Sequence, residues 1–412
     1  MRSIIKTAFL LPTGLGLMFV LYALLARQLS PADYGVLNLV FSIASLVGVL
    51  LCAGLPIAAT KFIPEYIAGN NRRYISGYLK WGTQWVVVVS CLVALFFYVL
   101  GQSIVVEGEK DFLLYLSMTI PSIMLWQWQR YSSLGFDLVS TAIVPRDILF
   151  PLCGIVSIFL VGNIALLDVF VFLNAIYISS VLLGFYMLHR QLPVGVSVVK
   201  GDTSPYLKWH KTAFPMVLTT LVQLGLSNWD IILLGALTTM EDTGLYAVAS
   251  RAAMLVSLIL RVLETTVIQK ISKLFAEKKY QKMQSLYNKT MMLSSVVGVG
   301  SFIILLLFMG EILSMFGNHY QNASNVVIII ALGHLVSSCI GPSMSSLNMI
   351  GYEKYVAKLM VVWSALAVVL YCVLISLYGV YGAAIAFSIS LVGMKLQQYV
   401  KLRAVFKGLL RA

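Results

Sequence analysis

Twelve apolar stretches, each of about the 20 residues needed to cross a bilayer as helix, succeed one another along the chain at 8–27, 35–60, 81–101, 112–130, 146–163, 165–188, 212–236, 244–269, 289–310, 323–345, 356–377 and 380–402. That pattern leaves little choice of solvent. Hydrophobic residues fill 60% of the positions and charged ones only 11%, against roughly a quarter charged in soluble domains. A water-soluble globule of this size must still present much of its surface to water. The expectation is therefore an all-α integral membrane protein with twelve transmembrane helices. The first run, Thr7 to Ala26, reads as a span in its own right, without the small-residue cleavage site of a leader. The segment between Arg130 and Arg146 is the hardest to divide into loop and helix.

Cation placement sets the orientation. With the N-terminus inside, 25 of the 29 lysines and arginines fall on inner segments; Arg27 and Lys110 fall outside, and Arg251 and Arg261 within a span. Both termini are thus expected in the cytoplasm. The net charge of +13 is spread over all the inner loops instead of forming one basic face, which argues against nucleic acid as a partner. Lys270–Lys289, with six lysines, reads either as an interfacial helix on anionic membrane lipids or as a plain solvated loop.

The chain also echoes itself. A shift of 209 positions lays Asp33-Tyr34-Gly35 on Asp242-Thr243-Gly244, Lys61 on Lys270, Lys80 on Lys289 and Gly101 on Gly310. Six spans per half is an even number, so both halves start on the same side and the repeats are parallel. The domain reading is a six-helix lobe at 1–188, a cytoplasmic linker at 189–211 rich in Gly, Pro and Lys, and a six-helix lobe at 212–412, around a central cleft.

Charges within a bilayer are costly and need a reason. The candidates are Asp230 in the seventh stretch and Arg251, Arg261 and Glu264 in the eighth. Asp230 and Arg251 are expected at similar depth on antiparallel neighbours, and Arg261 and Glu264, three apart on one helix, within pairing distance. Two readings stay open: structural ion pairs, or a cationic cavity wall with Asp230 and Glu264 coupling an ion. The aligned positions of the first half, among them Ser42 and Cys52, carry no charge, so the second half is expected to dominate anion recognition. Trp81, Trp85, Trp126, Trp128, Trp209 and Trp363 lie mostly near span ends and read as an aromatic belt.

No catalytic constellation is found: the chain has no G-x-S-x-G, H-E-x-x-H or Walker A run. Cys52, Cys91, Cys153, Cys339 and Cys372 are scattered singly, so no metal site and no disulfide framework is expected. Nor is any cofactor. The expectation is a transporter and not an enzyme.

Three stretches carry a family resemblance: Ala26-Arg27-Gln28-Leu29-Ser30-Pro31-Ala32-Asp33-Tyr34-Gly35, then Gly54-Leu55-Pro56-Ile57-Ala58 followed by Lys61-Phe62-Ile63-Pro64-Glu65-Tyr66, and Gly244-Leu245-Tyr246-Ala247-Val248-Ala249-Ser250-Arg251. A fourth is Phe316-Gly317-Asn318-His319-Tyr320-Gln321-Asn322-Ala323. Together they resemble the Wzx-type polysaccharide transporters, or O-antigen flippases, of the multidrug/oligosaccharidyl-lipid/polysaccharide superfamily. The resemblance implies a two-lobe fold like that of the multidrug and toxin extruders. It also implies flipping an undecaprenyl-pyrophosphate-linked oligosaccharide to the periplasmic leaflet of a bacterial inner membrane. A polysaccharide polymerase and chain-length machinery would act downstream. Cationic residues of the cleft are implied to hold the cargo, with Arg251 and Arg261 fitting by position and Arg27, Arg130 and Arg146 nearer the cleft mouths. A proton or sodium ion is the expected counter-ion. The rivals are a multidrug extruder of the same fold and a membrane polymerase or glycosyltransferase.

Overall fold

The computed structural model describes residues 2–103, 107–161, 165–192 and 201–411. Side chains at 2–9, 11, 107–109, 161, 259, 261–263, 265, 266, 269 and 411 are not described. Residues 193–200 of the expected linker, and the side chains of Arg2, Lys6, Arg261 and Arg411, thus lie outside the described residues.

Every regular element among the described residues is helical. In order these are α1 (Arg2–Gln28), α2 (Pro31–Leu51), α3 (Leu55–Ala68), α4 (Arg72–Ser103), α5 (Glu107–Gly135), α6 (Val139–Ile143), a π-helical turn (Val144–Leu149), α7 (Phe150–Val161) and α8 (Leu166–Gln191). The chain continues with α9 (Tyr206–Leu237), α10 (Met240–Met254), a 3-10 turn (Leu255–Ser257), α11 (Leu258–Ala276), α12 (Tyr280–Leu307) and α13 (Met309–Phe316). A 3-10 segment (Asn318–Ala323), α14 (Ser324–Ile340), α15 (Ser343–Met349) and α16 (Glu353–Arg411) complete it. Each of the twelve apolar stretches falls largely on helix. Eight helical segments are long and apolar enough to cross a membrane by themselves. Their lipid character shows on the outside: Leu92, Leu95 and Phe96 on α4 are about 60% exposed, and Leu307 on α12 is 72% exposed. Water would not tolerate such a surface. The protein is a multi-pass, all-α membrane protein.

Breaks within the apolar stretches follow from the backbone. Ala53 and Gly54 have φ of 49° and 72°, which ends α2 and re-aims α3. Gly379, at φ 55° and ψ −130°, divides α16 between the expected eleventh and twelfth spans. The connection between the fourth and fifth spans differs most from expectation. Helix α5 continues to Gly135 and α6 begins at Val139, leaving a tight turn with Asp137 at φ 58°. Arg130 and Arg146, expected on an inner loop, therefore sit inside helical segments, and Val139–Leu160 is itself long and apolar enough to span.

The chain divides into two compact units, Met1–Leu29 with Val36–Leu224 and Ser30–Gly35 with Gly225–Ala412. The first unit has an aromatic core of Phe62, Tyr66, Tyr78, Trp128 and Trp209. Its polar tips are satisfied: Trp209 Nε1 donates to Tyr66 Oη at 2.8 Å, Trp128 Nε1 to Thr83 Oγ1 at 2.9 Å and Tyr78 Oη to the Leu55 carbonyl at 2.6 Å. Trp128 and Trp209 are fully buried, which corrects their reading as belt residues. Asp202 accepts from the Ser204 amide at 2.8 Å, and this bond, aided by Arg73, holds its exposed carboxyl below the usual range. In the second unit Ile271, Met283, Tyr287, Leu347, Leu402 and Phe406 form a buried core.

Candidate functional site

The first unit buries a charge cluster. Asp147 bridges two arginines, with Arg130 Nη1 at 2.8 Å from Oδ2 and Arg146 Nη1 at 2.8 Å from Oδ1. Both guanidinium groups lie over the Trp126 ring, at 5.5 Å and 4.9 Å from its centre. Tyr177, 4% exposed, packs edge-on against Trp126 with ring centroids 6.3 Å apart. The local fold explains how adjacent charges come to share an apolar span. Pro145 supplies no amide, and the Phe150 amide reaches back five residues to the Pro145 carbonyl. Such π-turns insert an extra residue and recur at functional sites. Close helix approach then walls the cluster. A methyl on Gly14 of α1 would come within 2.7 Å of the Asp147 carbonyl oxygen, and one on Gly184 of α8 within 2.6 Å of Gln129.

The cluster is not fully satisfied. Arg146 Nε and Trp126 Nε1 are buried and lack an acceptor. A buried polar atom left without a partner costs about 1–3 kcal/mol. Two guanidinium groups against one carboxylate leave one net positive charge. An oxyanion or a sugar hydroxyl is the chemistry that these orphaned atoms accept. Among the described residues the first unit carries the densest charge cluster, whereas the intramembrane charges singled out from sequence, Asp230, Arg251, Arg261 and Glu264, all lie in the second.

Of the two pairs expected in the second unit, Arg261 with Glu264 involves a side chain outside the described residues. Asp230 does not meet Arg251. Its Oδ2 accepts from Tyr246 Oη at 3.0 Å and its Oδ1 from the Ile231 amide at 2.8 Å. Tyr246 and Arg251 are five residues apart on α10, about 140° around the helix, so the arginine faces elsewhere. Arg251 Nη1 donates to Tyr34 Oη at 2.9 Å and its guanidinium lies 5.5 Å from that ring's centre. Glu264 lies 3.6 Å from Lys395 of α16, a cation assigned by sequence to the inner surface but only 9% exposed. Arg27 stands exposed in the last turn of α1, where a cation suits the helix dipole, and it joins neither cluster.

Sequence reasoning missed Asp147, Trp126, Tyr177, Lys395 and Tyr34. A signal existed for the first of these: Arg146-Asp147 is a charge pair inside a segment whose apolar run starts near Val139, before the boundary placed at 146.

Comparison with known proteins agrees with this architecture. The family model described as "Polysaccharide biosynthesis protein" matches residues 6–275, and the MatE model matches residues 215–391. The "Probable low-salt glycan biosynthesis flippase Agl15" of Haloferax volcanii is 27% identical over 168 residues, which is 40% of this chain and 35% of that protein. The chain thus aligns with about a third of that relative's length. In fold it is similar to an inward-facing multidrug resistance MATE family transporter of the MOP superfamily, with a TM-score of 0.78 at 11% identity over 100% of this chain and 99% of that one. It is also similar to the lipid II flippase MurJ in an inward closed conformation, with a TM-score of 0.72 at 18% identity over 98% and 87%. The match over residues 6–275 covers more than half of the sequence, and with it the chain belongs to the polysaccharide biosynthesis protein family of membrane transporters.

Proposed function

We propose that the protein is a flippase that carries a lipid-linked glycan from one leaflet to the other, its headgroup passing through the protein while the lipid tail stays in the bilayer. The observation that carries this reading is the Arg130–Asp147–Arg146 cluster over Trp126, a net cationic site with orphaned hydrogen-bonding atoms, two of whose charges lie inside the apolar segment Val139–Leu160. Membership of a polysaccharide biosynthesis family and a flippase-named relative support it. Sugars and phosphates lose hydration on entering a membrane, and buried donors replace it.

The finer reading is an undecaprenyl-pyrophosphate-linked repeat unit, such as an O-antigen unit, moved by alternating access to the periplasmic leaflet of a bacterial inner membrane. Both termini lie in the cytoplasm, and a polymerase with its chain-length machinery receives the product. Arg130 and Arg146 take the anionic part of the cargo, and Arg261 remains a candidate of the second half. Asp230 and Glu264 are the proposed groups for an inward-moving proton or sodium ion.

A multidrug extruder of the same fold is the rival, supported by the MatE match. It would export cations, which a cationic cluster repels, and residues 8–26 contain no acidic group. The test is translocation of a fluorescent lipid-linked oligosaccharide in proteoliposomes. Replacing Arg130 and Arg146 by Gln together with Asp147→Asn removes all three charges at once and leaves no ion there without its counter-charge. This triple variant is expected to lose tenfold or more in rate, about 1.4 kcal/mol or more. Full activity at normal protein level sinks the cargo role of the cluster, and efflux of a cationic dye without glycan transport selects the extruder.

A further inference from the structure

The starts of α2 and α10, which the 209-residue shift superimposes, meet each other inside the second unit. The contact is reciprocal. A methyl on Gly35 would overlap the Met240 carbonyl oxygen and come within 3.0 Å of the Gly244 amide nitrogen. A methyl on Gly244 would overlap the Pro31 carbonyl oxygen and come within 3.1 Å of the Gly35 amide nitrogen. Pro31 and Met240 are themselves 209 apart. The caps match as well: Ser30 Oγ accepts from the Asp33 amide and Thr239 Oγ1 from the Asp242 amide, each at 3.1 Å. Two helix N-termini thus cross with approximate two-fold symmetry, backbone against backbone.

One side of the seam carries more than the other. Tyr34, fully buried, takes the Arg251 hydrogen bond and the guanidinium over its ring, and packs edge-on against Tyr320 with centroids 6.2 Å apart. Thr243, its counterpart, is equally buried but bonds only locally, to the Thr239 carbonyl at 3.0 Å. The first turn of α2 belongs to the second unit, whereas the rest of that helix belongs to the first.

We propose that Arg251 is a positioning residue: through Tyr34 it latches the first turn of α2 onto α10 at the Gly35–Gly244 crossing, and it acts on transport by holding this seam and not by touching cargo. Loss of a charged donor from a buried hydroxyl shifts a local opening equilibrium about tenfold or more. That is enough to set how often a helix start opens locally.

Hydrogen–deuterium exchange of the purified full chain tests this without a transport substrate. Arg251→Gln and Tyr34→Phe are each expected to raise amide exchange about tenfold or more in both segments 31–37 and 240–247, the loss of one charge-assisted bond. The double variant is expected to add little to either single one, and Arg251→Lys, which keeps a donor, to restore slow exchange. Gly35→Ala should open both segments further if it folds; Tyr34→Phe removes one oxygen only and keeps the test decisive if it does not. Unchanged exchange in Arg251→Gln overturns the latch. So does loss of glycan transport in Arg251→Gln with full transport in Tyr34→Phe, which places Arg251 on the cargo.

Discussion

In the first unit two guanidinium groups share one carboxylate above an indole, whereas the second unit disperses its charges over separate partners: Asp230 on the Tyr246 hydroxyl, Glu264 on Lys395, and Arg251 on Tyr34. The first arrangement is concentrated, net cationic and short of acceptors. In the second, each charged group named has a partner from within the fold. Concentration makes a place where an incoming oxyanion completes the hydrogen bonding. Dispersal ties helices together, since each pair or bond joins two different helices.

This contrast can be broken most severely at Asp147. Asp147→Asn leaves two half-buried guanidinium groups without their counter-charge, and removing one partner of a buried pair costs about 3–5 kcal/mol. Allowing for the 33% exposure of the Arg146 side chain, a loss of about 2–3 kcal/mol is expected, read as a drop in the detergent unfolding midpoint. An unchanged midpoint would show that the cluster is not a unit. In the second unit, Tyr246→Phe deprives Asp230 of its hydroxyl donor and is expected to cost about 1.5–2 kcal/mol in the same assay, less than Asp147→Asn. If it costs more, the second unit is the one that depends on concentrated charge. The smallest effect concerns the matched helix caps. Ser30→Ala and Thr239→Ala should each cost about 1 kcal/mol and should agree within about 0.5 kcal/mol, since their bonds have the same length. A large inequality would argue against the symmetry of the seam.

Much of the architecture was legible because lipid solvation imposes a length and an apolarity on each helix, and both can be read from residues in order. Gly35 and Gly244, which a shift of 209 positions pairs, hold a backbone contact that admits no side chain. The candidate site was harder to read. Arg130 and Arg146 are legible as candidates at the ends of the fourth and fifth stretches, but hydropathy leaves the segment between them undivided, and the proline-led π-turn that brings Asp147 between the two arginines has no hydropathy signal. Trp126 looked like a belt residue because proximity to a span end says nothing of what lies over the ring. Lys395 looked like an inner-surface cation because its partner Glu264 lies more than a hundred residues away. Pairing across helices is set by how they rotate against one another, and hydropathy does not encode that rotation.

The crossing of Gly35 and Gly244 has a genetic consequence. A patch that touches its own copy is the isologous contact of a two-fold dimer, in which one codon change alters both faces at once. Fusing two such halves in a single reading frame releases that constraint. Position 34 can become tyrosine while its twin at 243 stays threonine, and Arg251 can appear where its twin is Ser42. The Tyr34–Arg251 contact is one that no pair of identical subunits could make once without making it twice.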